Sequence, residues 1–275
     1  MDEAIYQPFP MPTRARAHIW HHAPSTRRPR HFHAEPELNL VTGGSATFAM
    51  GEKLLPVVRG DLLWWPPGQD HVLVDASPEF DLFVIGVTAD FSMRVLTGTP
   101  DVGCVGPIKI RLPTKALAEL EAICGAPVSA SDVPAIERRV GDLWRQAHAL
   151  RRAAEAMHVV TRRTMVSLYR QPDLGRSDIA RLVRAYPTEI SRNFHNDMGM
   201  TLSAFRSRLR LLRFIQAVDG GATSLLAAAM DAGFGSYSQC HRSFQQTFAC
   251  TPRSFFETPL RDRMQNAFAP WQPHT

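Results

Sequence analysis

Residues 190–199, ISRNFHNDMG, and residues 240–249, CHRSFQQTFA, echo each other across an offset of 50 positions, with Arg192 over Arg242 and Phe194 over Phe244. Each copy follows a short helical pattern and a tight turn, LVRAYPTE before the first and AAAMDAGFGSYS before the second. Helix, turn and second helix make a helix-turn-helix, whose second helix is presented to a DNA major groove. Ile190, Phe194, Phe234, Phe244 and Phe248 are expected in its core. LSAFRSRLRLLRFIQAV joins the copies as one helix of about 17 residues, about 25 Å long at about 1.5 Å per residue. With its flanking turns it holds the two recognition helices about 34 Å apart, one turn of DNA. Leu202, Phe205, Leu209 and Leu212 form one apolar face of it, Thr201 is placed to cap it, and Asp219, Gly220 and Gly221 end it. Ser177 is placed to cap an earlier helix, and Pro187 suits the first turn of another.

The chain has 275 residues, 44% of them hydrophobic, a length that suits two domains and a composition that argues against wholesale disorder. Its net charge of +5 conceals a division: residues 1–95 carry −3, residues 96–154 carry +2 and residues 155–275 carry +6, with arginine and no lysine supplying the positive charge of the last span. Positive charge thus gathers where the helix-turn-helix copies lie, as a phosphate-facing surface requires, although a solvated arginine-rich helical surface would give the same count. No apolar run approaches the roughly 20 residues needed to cross a bilayer. The start, MDEAIYQPFP, is acidic and proline-punctuated, unlike a secretory leader. Cys104, Cys124, Cys240 and Cys250 form no Cys-x-x-Cys pair, which argues against a disulfide framework or zinc ribbon. A cytoplasmic protein with no membrane segment is expected.

The first 95 residues read as β, in short apolar runs (LNLVTG, ATFAM, DLLWWP, FDLFVIGV) separated by Gly, Pro and Asp, the pattern of a sandwich or barrel. The Gly- and Pro-rich stretch 95–113 marks the exit from this domain. Beyond it the period becomes helical: Leu117, Leu120, Ile123 and Cys124 share one face, and a longer stripe runs from Ile136 through Val140, Leu143, Trp144 and Ala147 to Met157. Two amphipathic helices between two domains are candidates for a dimer seam, or they pack on their own neighbours. The expected architecture is α+β: a cupin or jelly-roll barrel over 1–95, a helical linker over 96–158, an all-α double helix-turn-helix over 159–258, and a flexible tail over 259–275.

Across 165–258 the sequence resembles the AraC/XylS family of bacterial transcription regulators, through Gly233-Phe234, Arg242-x-Phe244 and Thr251-Pro252 in order and spacing. The resemblance implies that Thr188, Ser191 and Arg192 read bases from the first helix, and Tyr237, Ser238, His241 and Arg242 from the second. Arginine can grip guanine O6 and N7 bidentately, while Ser, Thr and His read edges or phosphates more loosely. Departures stand at Tyr186, where the family often has Ser, at Ala228 and Cys240, which replace larger apolar residues, and at Ala249, which replaces Gly.

In HFHAEPELNLVTG (31–43), His31, His33 and Glu37 share parity and face one way in an extended strand. GDLLWWPPGQDH (60–71) brings His71 in after a Pro-Pro-Gly turn. These segments resemble the two cupin motifs over roughly 20–95, with Asp75 where Asn is usual. In metal-binding cupins the matched positions His31, His33, Glu37 and His71 are ligands, a donor set suited to Zn, Fe, Mn or Ni. The other reading is a metal-free polar pocket for an organic effector. Alternation admits one of Trp64 and Trp65 to the pocket, and His18, His21 and His22 are assigned to the surface.

Together these readings describe a non-enzymatic, effector-responsive transcription regulator, an activator or a repressor. Its expected partners are promoter DNA, a small molecule, a second copy of the chain as a homodimer and, for an activator, RNA polymerase. A metal-dependent cupin enzyme with a DNA-binding appendage is the alternative, and a scaffold that no longer binds DNA is a third reading.

Overall fold

The structure is a computed structural model describing residues 4–9, 11–12, 14–22, 28–95, 108–127, 132–152 and 157–257. Its strands are β1 (Ile5–Tyr6), β2 (Ala17–His22), β3 (His31–Phe32), β4 (Glu37–Gly43), β5 (Ser45–Met50), β6 (Lys53–Val58), β7 (Asp61–Trp65), β8 (Val72–Ala76), β9 (Asp81–Val87) and, after helix α1 (Ala89–Val95), β10 (Lys109–Arg111). β10, β7, β4, β9 and β2 form an antiparallel five-stranded sheet in that order; β6, β5 and β8 form a second, and β1 lies parallel to β3.

Among the described residues the ladder does not close, so separate sheets stand where a closed barrel was expected. The chain changes sheets at a corner. The β4–β9 register slips between Val41 and Gly43, and Gly44 at φ +56° turns directly into β5. The β region also does not end at residue 95, because β10 returns to pair with β7, Lys109 opposite Leu63. The rest of the presumed exit, 96–107, and the tail at 259–275 lie outside the described residues.

Period-two alternation divides the five-stranded sheet. Leu38, Leu40, Leu62, Trp64, Ile85 and Val87 face α2 (Thr114–Gly125) and α3 (Val133–Arg152), meeting Leu117, Leu120, Val140, Leu143, Trp144 and Ala147. The Trp64 and Trp144 rings meet edge to face at 5.0 Å, and the Arg151 guanidinium lies 4.1 Å over Trp64. The α3 stripe considered for a dimer seam is therefore buried against the chain's own sheet.

The remaining helices are α4 (Val159–Arg170), α5 (Arg176–Val183), α6 (Pro187–Met198), α7 (Leu202–Asp219), α8 (Leu225–Asp231), α9 (Tyr237–Phe248) and α10 (Pro252–Glu257). No described helix is long and apolar enough to cross a membrane. Thr201 caps α7 by accepting from the Ala204 amide, but Gly175 rather than Ser177 caps α5. α7, 18 residues long, serves both helix pairs. Phe205 and Leu209 pack with Ile179, Ile190 and Phe194, whereas Leu211, Phe214 and Ile215 pack with Phe234, Phe244 and Phe248.

The repeat diverges at its caps. α6 ends at Gly199 (φ 64°) and α9 at Ala249 (φ 52°), both left-handed and 50 positions apart. A Cβ on Gly199 would lie 2.5 Å from the Met50 carbonyl oxygen, whereas Ala249 is exposed. Left-handed backbone costs an L-residue about 1–2 kcal/mol, partly offset by glycine's greater freedom when unfolded. Ala249→Gly is expected to stabilise the protein by about 0.5–1 kcal/mol, while Gly199→Ala, which also meets the Met50 carbonyl, is expected to cost more than that gain. Urea unfolding midpoints at unchanged slope check both.

Candidate functional site

The pocket centre is built on a minimal ladder. His31 and His71 exchange backbone hydrogen bonds of 3.1 and 2.9 Å, His33 follows β3, and Glu37 opens β4. The side-chain ligand atoms of His31, His33 and His71 lie within 4.8 Å of one another. Glu37 Oε2 stands 2.9 Å from His33 Nε2 and 3.2 Å from His71 Nε2. All four residues are buried. The sequence reading is realised here as a cluster: the four motif positions do meet.

Every imidazole turns Nδ1 to a backbone carbonyl: His31 to Pro29 at 2.9 Å, His33 to Glu35 at 2.7 Å and His71 to Gln69 at 3.4 Å. A nitrogen that donates to a carbonyl carries the hydrogen, so in the neutral ring Nε2 holds a lone pair. On His33 and His71 that lone pair faces a carboxylate oxygen, and two acceptors at such distances need a positive charge between them. A proton or a divalent cation meets that need, and the three-imidazole, one-carboxylate set fits Zn, Fe, Mn or Ni. Burial, then the neighbouring His71 and His33 rings and Arg28, holds His31 well below the ordinary histidine range. Burial pushes the Glu37 carboxyl up, but His71 and His33 together outweigh it and hold that carboxyl well below the usual range.

A polar chain fixes the carboxylate. Trp65 Nε1 donates to Asn39 Oδ1 at 2.6 Å, and Asn39 Nδ2 donates to Glu37 Oε1 at 2.6 Å. The Trp65 ring lies 4.6 Å from the His71 ring and within 5° of parallel, while Trp64 faces the helices. Asn39 escaped the sequence reading although it shares parity with Glu37 on β4, which was the available signal. Two of the histidines assigned to the surface need correction: His18 is buried and His22 lines the cavity beside the centre with Arg28, whereas His21, partly exposed, meets Asp81 at 2.6 Å. β2 lies at the sheet edge, but its alternation turns His22 inward, as no motif indicated.

The wall behind the centre touches the helical half. Phe32, between His31 and His33, points away from them, fully buried among α7–α10 residues, with the Arg208 guanidinium 5.0 Å from its ring. Asp70, beside His71, is buried and paired with Arg208 of α7 and, at 2.7 Å, with Arg30. The β5–β6 turn docks on α6: the Glu52 amide donates to the Gly199 carbonyl at 2.7 Å, and Lys53 Nζ to the Asn196 carbonyl at 2.6 Å.

On α6 and α9 the positions named for base reading share the outward side. Thr188 and Arg192 are exposed and Ser191 is half-buried; Ser238 and Arg242 are exposed and Tyr237 and His241 half-buried. The Ser191 hydroxyl donates to the Pro187 carbonyl at 2.9 Å within its own helix. Tyr186 precedes α6 at 79% exposure with no capping bond, whereas Ser236, its counterpart, accepts from the Gln239 amide.

Residues 16–162 match the AraC-like ligand binding domain, and residues 179–258 match a helix-turn-helix domain. The chain belongs to the AraC family. Its members are transcription regulators, not enzymes, and this chain is accordingly a DNA-binding regulator with an N-terminal ligand-binding domain. Among solved structures, ToxT from Vibrio cholerae is similar at 11% identity, covering 87% of this chain and 96% of that one at a TM-score of 0.43. The AraC-like transcriptional activator CuxR is 14% identical over 75% of each chain (TM-score 0.31). The C-terminal domain of AraT, a response regulator from Geobacillus stearothermophilus, is 12% identical over 44% of this chain and 97% of that one (TM-score 0.34). No protein of curated function matches the regulator's sequence.

Burial pushes the Asp70 carboxyl up, but Arg208 and Arg30 outweigh it and leave it below the ordinary aspartate range. Its contribution to stability is thus complete above the unfolded value of about 3.9 and is lost as pH falls through the lower folded value. Asp70→Asn, which removes the carboxylate charge shared by Arg208 and Arg30, is expected to cost about 3 kcal/mol at neutral pH. The difference from the parent should shrink in urea titrations carried below about pH 4.

Proposed function

We propose that the regulator is a sequence-specific, effector-controlled switch. α6 reads one major-groove segment through Thr188, Ser191 and Arg192, and α9 reads the next through Tyr237, Ser238, His241 and Arg242. At about 1.5 Å per residue the 18 residues of α7 span about 27 Å, which supports two recognition helices one DNA turn apart. The sensor comprises 1–95 together with β10; the helices of 96–158 brace its sheet, and 159–258 bind DNA.

One observation carries the reading. On the strand that begins the pocket, alternate residues serve two sites: His31 and His33 line the centre while Phe32 grips α7. His71 and Asp70 repeat the arrangement on the facing segment. A molecule or cation that repositions the histidines acts on residues already holding the helix shared by both DNA-reading units. Control follows if that ligand prefers one arrangement, and coupling of about 1–3 kcal/mol changes DNA affinity about 5–150-fold.

Arg192→Ala and Arg242→Ala are each expected to cost about 1–3 kcal/mol on a DNA site selected from a random pool, and to relax preference at one base pair. Anisotropy titrations over a salt series check this, and full retention of affinity by both variants would favour a scaffold that no longer binds DNA. For the pocket, His31, His33, Glu37 and His71 form the effector centre, with a divalent cation as the ligand its lone pairs fit. Zn(II) added to chelator-treated protein is expected to raise the melting temperature, and His71→Ala to abolish most of that rise. Equal shifts in both proteins would remove the metal from the proposal.

A further inference from the structure

The two helix pairs, α5–α6 and α8–α9, part company where their second helices begin. Ser236 precedes α9 and accepts from the Gln239 amide, as Thr201 and Ser224 cap α7 and α8. Tyr186, 50 positions before Ser236, holds the same backbone place: its carbonyl accepts from the Ile190 amide at 3.0 Å, and Pro187 follows as the first residue of α6. A phenol on a rigid ring does not fold back onto the amides of its own helix as a serine hydroxyl does, and α6 starts without a side-chain cap. The ring turns outward instead. At 79% exposure it is the most exposed large apolar side chain among the described residues, and it makes no hydrogen bond or ring contact with any of them. The fold thus forgoes a cap at Tyr186 with no internal contact to compensate, and local rules broken in this way belong to functional positions.

The placing of the ring indicates which function. The first residues of a recognition helix are those that meet base edges. Tyr186 stands two positions before Thr188, at that end of α6. Arg184 and Arg192, to either side of it along the chain, are exposed and form no ion pair with a described residue, so the ring is flanked by charge that suits phosphate. In the major groove the one apolar feature is the thymine C5-methyl; the other edge groups are donors or acceptors. We infer that Tyr186 is a specificity-determining residue of the α5–α6 pair, its ring against the C5-methyl of a thymine and its hydroxyl donating to a phosphate oxygen. This rests on the reading of α6 as a DNA-reading helix, and it adds a base contact that α9, capped by Ser236, has no ring to make.

The test uses the full chain and a DNA site that it selects from a random pool. Tyr186→Ser supplies the missing cap and removes the ring, so two readouts should move in opposite senses. The urea midpoint is expected to rise, and anisotropy to show DNA binding about tenfold weaker. Replacing the thymines of the site one at a time with uracil removes the methyl alone. At one position wild type is expected to lose about fourfold in affinity, and Tyr186→Ser to be indifferent to the change. A Tyr186→Ser protein that keeps wild-type affinity, that feels every uracil as wild type does, or that unfolds at lower urea overturns the contact. Light scattering identifies the other occupant: a lower mass for Tyr186→Ser at unchanged DNA affinity gives the ring to a second copy of the chain. Arg192→Ala separates this contact from the reading beneath it. If Arg192→Ala loses affinity and Tyr186→Ser does not, α6 reads DNA and the tyrosine contact falls. If Tyr186→Ser loses affinity while Arg192→Ala and Arg242→Ala keep it, the tyrosine contact stands and the arginine roles fall.

Discussion

Neighbouring residues on a strand point to opposite faces, and the organisation of this regulator depends on that constraint at one place. Where His31 and His71 pair, the pocket and the helical half lie on the two sides of a wall one strand thick. A backbone displacement beneath a histidine on the inside also moves its neighbour on the outside, because a single backbone carries both. Since the outer neighbours are Phe32, in a fully packed apolar cluster, and Asp70, in a buried ion pair, small displacements meet strong resistance. Stiff contacts of that kind favour two discrete arrangements over gradual deformation.

Packing supports the same view. One apolar cluster runs from Phe48, Leu63 and Trp65 of the sheets into Met165, Phe194 and Phe205 of the helices. A second joins Tyr6 and Phe32 to Phe244, Phe248 and Phe255. The rings of Tyr6 and Phe248 meet edge to face at 5.8 Å. Each helix pair therefore borrows apolar surface from the N-terminal half, and α7 lies against both. The arginines of α7 that look like a DNA-facing stripe are largely engaged elsewhere: Arg210 and Arg213 donate to carbonyls at the end of α4 and the turn after it, and Arg208 to Asp70 and Gly68. Part of the +6 excess at the carboxyl end is thus structural.

Much of this was legible in the sequence wherever a short-range rule governs it. The paired helices, their apolar faces and the Thr201 cap follow from periodicity and local hydrogen bonding. The meeting of His31, His33, Glu37 and His71 in one pocket follows from strand parity and from the resemblance to two spaced motifs. Long-range placement was not legible. Nothing local says that β10 returns to pair with β7, that His22 on an edge strand turns inward, or that Asp70 waits for an arginine 138 positions away. The closed barrel failed for the same reason, since closure depends on edge strands meeting, which no run of residues encodes alone. The paired use of the α3 stripe was undecidable from its period, because a helix buries an apolar face equally well on a sheet or on a second copy.

The near-parallel stack of Trp65 on His71 has an optical consequence. An indole in face-to-face contact with an imidazole reports on the charge of that ring through its emission, whether the charge comes from a proton or a bound ion. Trp64, on the opposite face of the same strand and packed against Trp144, lies on the helix side of the sheet and is shielded from such events. Adjacent residues thus supply a signal and its internal reference, and the chain carries its own dye for following what enters the pocket.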